Sequence, residues 1–161
     1  LMPVLGLILG GVDFTKLALK IGGTAEAPVL LGYGSLIQAA FDFLILAYPV
    51  ISFDPAIAHG GSVRNLLGEN PDPKLIEDLS NDLRVSPQTP PTFLFHTNAD
   101  TGVVAENSVR FYLALRRNKV PAELHIFENG PHGVGLALGD PALSEWPVLL
   151  TNWLRGRGLT K

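Results

Sequence analysis

The 161-residue sequence contains no cysteine, no run of basic residues and few charged residues, which make up 17% of the chain. Without cysteine there is no disulfide framework, no thiolate zinc site and no thiol nucleophile. The formal net charge is −3, so nucleic acid is not an expected partner. Apolar residues make up 47% of the chain, which excludes an intrinsically disordered protein. The length fits one ordinary domain.

The few charges are unevenly distributed along the chain. Residues 1–53 carry five of them: Asp13, Lys16, Lys20, Glu26 and Asp42. Residues 27–53 are long enough to span a bilayer, but Asp42 in mid-span would cost about 2.5–3.5 kcal/mol and Pro49 would kink the helix. A buried strand within this stretch is the alternative. We favour a soluble, cytoplasmic protein and keep membrane insertion through residues 1–53 as the second possibility.

From residue 43 onward the pattern is typical of an α/β protein. Three apolar runs predict buried strands at residues 43–48, 91–97 and 122–127. Helical periodicity predicts helices at residues 105–118 and 144–155, and an amphipathic stretch covers residues 73–83. Alternating strands and helices with short connections predict about three parallel strands with flanking helices.

Two chemically competent residues follow consecutive predicted strands. Asp100 lies three residues after the strand that ends at Thr97, and His132 follows the strand at residues 122–127. Functional groups of parallel sheets lie just beyond the carboxyl ends of the strands, so we expect the two side chains to meet. A carboxylate beside an imidazole fixes the tautomer of the ring and stabilises its protonated form, which makes the histidine a general base. A turn aspartate and a surface histidine are the structural alternative.

Residues 43–161 resemble the C-terminal part of α/β-hydrolase esterases of the acetylesterase or xylanase-associated carbohydrate-esterase group. The matching runs are AYPVIS (47–52), GSVRNLLG (61–68), TPPTFLFHTNADTGVVAENS (89–108) and VPAELHIFENGPHGVGL (120–136). The resemblance implies an incomplete α/β-hydrolase fold, with Asp100 as triad acid and His132 as triad base. It also implies a small ester or acetylated sugar as substrate. Gly102 and Val104 depart from the usual β-branched residue and proline of the acid loop, so we expect a looser loop.

The serine of such a triad has no counterpart in the sequence. The Gly-x-Ser-x-Gly turn that carries it in this fold is absent. Ser35 is the nearest candidate, but it stands one place late and only seven residues before the predicted strand at residue 43. Ser52, Ser62 and Ser108 have no such turn around them. We therefore expect little esterase activity from the chain alone, because losing the nucleophile of a serine hydrolase costs about 10⁶ in turnover.

The first third of the chain resembles a different family. LMPVLGLILGGVDF (1–14), followed by YGSLIQAAFDFLILA (33–47), is similar to the large-conductance mechanosensitive channel. That family's N-terminal helix and basic cytoplasmic tail have no counterpart in the sequence. We expect a chimera: an apolar channel-like fragment at residues 1–42 and part of a hydrolase domain at residues 43–161, joined at DFLILA (42–47). A membrane-inserted channel fragment is the alternative function, and a non-catalytic sugar-binding module is a third.

Other ligands are not indicated by the remaining residues. The four histidines have no metal-ligand spacing and no Gly-rich phosphate loop occurs, so we expect no metal and no cofactor. A partial sheet leaves a strand edge unpaired, so self-association is an expected property.

Overall fold

The computed structural model describes residues 43–159, which form three strands and four α-helices. In chain order the elements are β1 (Leu44–Ala47), α1 (Gly60–Leu67), α2 (Pro73–Leu79), β2 (Thr92–Thr97), α3 (Glu106–Arg117), β3 (Ala122–Phe127) and α4 (Trp146–Gly156). Short 3₁₀ turns at Asn81–Leu83 and Leu143–Glu145 follow α2 and precede α4. The predicted channel-like segment 1–42, with Ser35, lies outside the described residues.

The three strands form one parallel sheet in the order β1-β2-β3. Leu44 lies opposite Thr92, and Thr92 lies opposite Ala122, so the carboxyl ends of all three strands meet at one edge. Every residue of β2 is buried, as expected of the central strand of a parallel sheet covered on both faces.

Apolar side chains of alternating strand positions build one core on each face of the sheet. On one face, Leu46 and Leu94 pack with Phe111 and Leu115 of α3. The buried members of the other face are Ala47, Phe93, Phe95, Leu143, Trp146 and Trp153, the last two on α4. The sheet is therefore the middle layer between helices. Packing on both faces fixes the position of the carboxyl ends of its strands.

The prediction of three parallel strands with flanking helices is confirmed. Most ends of the predicted elements lie within one residue of the observed ones, and two helical stretches differ by more. The amphipathic stretch 73–83 breaks at Ser80, whose hydroxyl donates to Ile76 O and accepts from Phe53 N. The last helix begins at Trp146 rather than at residue 144, because Pro147 fits only the first turn of a helix. Across residues 43–159, no helix is long and apolar enough to cross a membrane.

Candidate active site

Asp100 follows β2 in a tight loop and is almost completely buried. Its backbone N–H donates to Thr97 O, which turns the chain back, and its Oδ1 accepts hydrogen bonds from Gly102 N and Val103 N, each at 2.9 Å. The looser loop expected from Gly102 and Val104 stays a prediction. A Cβ at Gly102 would lie 3.4 Å from Asp100 Oδ1, so the missing side chain leaves room beside the carboxylate.

The charge of Asp100 is stabilised by its donors. Burial alone raises the pKa of this carboxyl, but hydrogen bonds from Val103 N, from His132 and from Gly102 N outweigh burial and hold the pKa below its ordinary value of 3.8. Asp100 is therefore ionised at neutral pH and accepts hydrogen bonds only.

His132 lies in the loop after β3, against the second oxygen of this carboxylate. Its Nδ1 is 2.7 Å from Asp100 Oδ2, and since the carboxylate only accepts, Nδ1 carries the proton. The contact expected from the positions of the two residues is present. The side chain of His132 is 44% exposed, whereas that of Asp100 is completely buried.

The two loops are tied to each other beneath the Asp100–His132 pair. The Thr97 hydroxyl at the end of β2 donates to Gly130 O in the histidine loop at 2.8 Å. Gly130 has φ 131°, and a Cβ there would lie 2.9 Å from both Leu143 Cδ1 and Thr97 Cγ2. Only glycine fits this close approach.

Asn107 of α3 is the first buried support of the loop that carries Asp100. The Asn107 amide oxygen accepts from Ile51 N and Ser52 N, and its nitrogen donates to Ile57 O and Val104 O. Asn107 is completely buried, so this one side chain joins the segment after β1 to the acid loop.

His96 is the second buried support of the acid loop, and it also approaches Asp100. Its Nε2 lies 2.8 Å from Val103 O and 3.4 Å from Asp100 Oδ2, and its Nδ1 lies 2.8 Å from Ser108 Oγ. Val103 O only accepts, so Nε2 carries the proton and Nδ1 accepts from the serine. Burial is the main cause that lowers the pKa of His96, which keeps the ring neutral.

Three serines considered in the sequence, Ser52, Ser62 and Ser108, have partners other than His132 among the described residues. Ser108 contacts His96, and His96 approaches Asp100, so the three side chains are linked in the order serine, histidine, aspartate. The serine and the histidine are completely buried, which keeps substrate away from them. The hydroxyl of Ser62 bonds His59, and that of Ser52 accepts from Asp54 N.

Two features of the site were not predicted from the sequence. The contact of His96 with Asp100 was missed, although the spacing of four residues across a strand end is a usable signal. Tyr48, at the end of β1, was assigned to the strand, whereas its ring lies 4.9 Å from that of His132. Pro49 directly after Tyr48 is the sequence signal that the strand ends before this aromatic residue.

Within residues 43–159 no group of three histidine, aspartate or glutamate side chains is arranged to hold a metal ion. The described site brings together a buried carboxylate and a partly exposed imidazole that is oriented by it. Such a pair activates a hydroxyl placed beside Nε2.

Comparisons with known proteins match two different families along the chain. Residues 41–141 match the model of the prolyl oligopeptidase family, and residues 1–71 match that of the large-conductance mechanosensitive channel. The two matches overlap at residues 41–71, which include the DFLILA string where we expected the join. The channel match extends farther than the resemblance over residues 1–47 suggested.

Individual relatives fall into the same two groups. Endo-1,4-beta-xylanase B of Butyrivibrio fibrisolvens is 40% identical over 65% of this chain and 16% of its own length. The crystal structure of an acetyl ester-xyloside bifunctional hydrolase from Caldicellulosiruptor lactoaceticus superposes with a TM-score of 0.72 and 48% identity, over 74% of this chain and 44% of the other. A large-conductance mechanosensitive channel of Synechococcus is 53% identical over 34% of this chain and 42% of its own length. The chain thus spans less than half the length of each.

Proposed function

The chain belongs, over residues 41–141, to the prolyl oligopeptidase family, and from this premise we propose that residues 43–161 carry the acid and the base of a serine-dependent ester hydrolase. Asp100 is the acid and His132 is the base. The observation that carries the proposal is the 2.7 Å contact between His132 Nδ1 and the buried Asp100 Oδ2. The other carboxylate oxygen, Asp100 Oδ1, accepts hydrogen bonds from two backbone N–H groups, so the orientation of the carboxylate is fixed.

The proposed mechanism follows from the proton positions. With Nδ1–H bonded to Asp100, the free lone pair of His132 is on Nε2, where it accepts the proton of a serine hydroxyl as that oxygen attacks an ester carbonyl. The imidazolium that results is stabilised by the negative charge of Asp100. His132 then returns the proton to the leaving alcohol, and the same pair activates water to release the acid.

The chain alone is proposed to be inactive toward esters. Its sequence has no Gly-x-Ser-x-Gly turn, and none of Ser52, Ser62 and Ser108 bonds His132. Without the nucleophile, an acid–base pair retains about one part in 10⁶ of the turnover of a complete site.

The proposed substrate class is a small ester, with acetylated sugars as the first candidates. Support comes from the acetyl ester-xyloside bifunctional hydrolase, whose chain superposes on 74% of this one at 48% identity. Asp100 and His132 lie within the family match at residues 41–141. We assign these residues to a hydrolase unit at residues 43–161 and the channel-like fragment to residues 1–42. Self-association through an uncovered strand edge remains a prediction, which sedimentation velocity tests.

The chain itself provides the first test. We expect p-nitrophenyl acetate hydrolysis by the wild type to equal that of His132→Ala, with His125→Ala as a matched control for an accessible histidine elsewhere on the sheet. A fluorophosphonate probe should leave every serine unlabelled. Turnover that disappears in His132→Ala and persists in His125→Ala would show a working site and refute the proposed inactivity.

A grafted enzyme provides the second test, because it supplies the missing nucleophile. Residues 43–161 replace the aligned segment of the acetyl ester-xyloside bifunctional hydrolase. We expect the graft to hydrolyse p-nitrophenyl acetate. Its turnover should fall about 10²- to 10⁴-fold in His132→Ala or Asp100→Ala. A graft with a native melting transition but no histidine-dependent turnover would exclude His132 as the base.

A channel-derived membrane protein is the second candidate function, because residues 1–71 match the channel family. Carbonate extraction of washed membranes separates the two candidates. Chain that stays in the membrane pellet after extraction supports insertion, and chain released by carbonate argues against it.

A further inference from the structure

Tyr48 has a backbone conformation that bulky residues rarely adopt. It follows β1 with φ 40°, in the left-handed region that favours glycine, and Pro49 comes next. Its backbone N–H donates to Phe95 O at 2.7 Å, which holds the residue at the strand end. Strained residues of this kind persist where the surrounding structure fixes them, and they concentrate at functional sites.

The ring of Tyr48 lies between the site and the core. It meets the His132 ring edge to face, with centroids 4.9 Å apart and planes at 68°. It also meets the Phe95 ring edge to face at 5.9 Å, and Phe95 is stacked on Trp146 with planes 9° apart. Edge-to-face contact is a favoured geometry for aromatic pairs. The His132 ring therefore packs against Tyr48, which in turn packs against the aromatic side chains of the core.

The covalent bond to Cβ and the hydrogen bond from Nδ1 to Asp100 both restrain the His132 imidazole on one side of the ring. The side chain is 44% exposed, so few protein contacts restrain the rest of the ring. A further contact away from Nδ1 narrows the range of ring orientations. Tyr48 supplies that contact in the structure.

We propose that Tyr48 is a positioning residue for His132: its ring, aimed by the left-handed backbone at the end of β1, fixes the plane of the imidazole while Asp100 fixes Nδ1. The proposal rests on the proposed function for its catalytic meaning. Within residues 43–159 the Tyr48 hydroxyl has no hydrogen bond, so the ring and not the hydroxyl performs this role.

The test measures the His132 imidazole in the whole 161-residue chain by ¹⁵N–¹H NMR, with His132→Ala used to assign its signals. Tyr48→Leu removes the ring and keeps a side chain at the strained position, and Tyr48→Gly removes the ring and relieves the strain. In both variants the Nδ1 proton of His132 should exchange with water roughly two- to tenfold faster, as loss of an aromatic pair predicts. Tyr48→Phe should exchange at the wild-type rate.

Tyr112→Leu is the matched control, because Tyr112 lies on α3 and packs against the other core. A wild-type exchange rate in both Tyr48→Leu and Tyr48→Gly would overturn the proposal, as would an equal acceleration in Tyr112→Leu. Faster exchange in Tyr48→Phe would overturn the assignment to the ring. These outcomes are separate from the grafted enzyme: an inactive graft refutes the acid–base role, whereas unchanged exchange refutes only the positioning by Tyr48.

Discussion

Removing the Asp100 carboxylate should separate its structural role from its charge. In Asp100→Ala, the N–H groups of Gly102 and Val103 lose their acceptor, and His132 Nδ1 loses its partner. In Asp100→Asn, the amide oxygen keeps both backbone donors, while the amide nitrogen can only donate toward His132 Nδ1. The histidine must then accept there and carry its proton on Nε2, which is the wrong tautomer for a base.

The expected magnitudes follow from burial. A buried donor without a partner costs about 1–3 kcal/mol, and this applies in full to Val103, which is 3% exposed. Gly102 is exposed, so water replaces part of its lost bond. We expect Asp100→Ala to lower the free energy of unfolding by about 2–4 kcal/mol and Asp100→Asn by about 1 kcal/mol.

Urea unfolding at pH 7 measures both variants through the fluorescence of Trp146 and Trp153, which are buried in the core. The ¹⁵N shifts of the His132 ring report the tautomer in Asp100→Asn. Equal losses of stability in the two variants, or a loss below about 0.5 kcal/mol in Asp100→Ala, would refute the role given to the backbone donors.

The same carboxylate sets a pH dependence with a definite sign. The pKa of Asp100 in the folded chain lies below the ordinary value of 3.8. Its contribution to stability is therefore complete above 3.8 and is lost as the pH falls through the lower folded pKa. The advantage of the wild type over Asp100→Asn should shrink as the pH falls below 3.8 in the same urea assay.

Three further predictions concern the supports of the acid loop. Burial lowers the pKa of His96, so wild-type stability should fall as the pH drops below 6.5, and His96→Gln should flatten this dependence in urea titrations at several pH values; an unchanged slope would contradict it. Gly130→Ala should lower the free energy of unfolding by about 2–4 kcal/mol in thermal unfolding. Gly139→Ala, where a Cβ meets nothing within 4 Å, should leave the stability nearly unchanged. Equal effects of the two substitutions would contradict the close approach at Gly130. Asn107→Ala should lower the free energy of unfolding by about 2–4 kcal/mol in urea unfolding. Asn107→Asp keeps the acceptor for Ile51 N and Ser52 N and should lower it by less. The reverse order would contradict these hydrogen bonds.

The sheet was predictable from the sequence because its strands are short, continuous apolar runs. The third strand, Ala122–Phe127, has the predicted bounds, and β2 starts one residue later than predicted. The helix ends were less accurate, because they depend on side-chain contacts such as Ser80 with Phe53 and on the placement of Pro147. Local periodicity contains neither kind of information.

The Asp100–His132 contact was predictable for a topological reason, whereas the support around it was not. Parallel order alone brings the loops after β2 and β3 to one edge of the sheet, so two residues 32 apart in sequence can be predicted to meet. The positions of Tyr48 and His96 depend instead on a backbone angle and on which face of the strand packs against α3. A pattern of residue types does not specify either.

The hydrogen bonds around the Asp100 carboxylate come from a compact stretch of chain. Gly102, Val103, His132 and the tie from Thr97 to Gly130 all lie within one strand–helix–strand unit and its two loops. A genetic crossover upstream of Thr92 therefore moves the Asp100–His132 pair together with these hydrogen bonds. The contacts across that boundary include the pairing of β1 with β2, the Tyr48 ring, the Asn107 bonds to Ile51, Ser52 and Ile57, and the ion pair of Arg110 with Asp54. A recipient protein would have to provide these contacts anew.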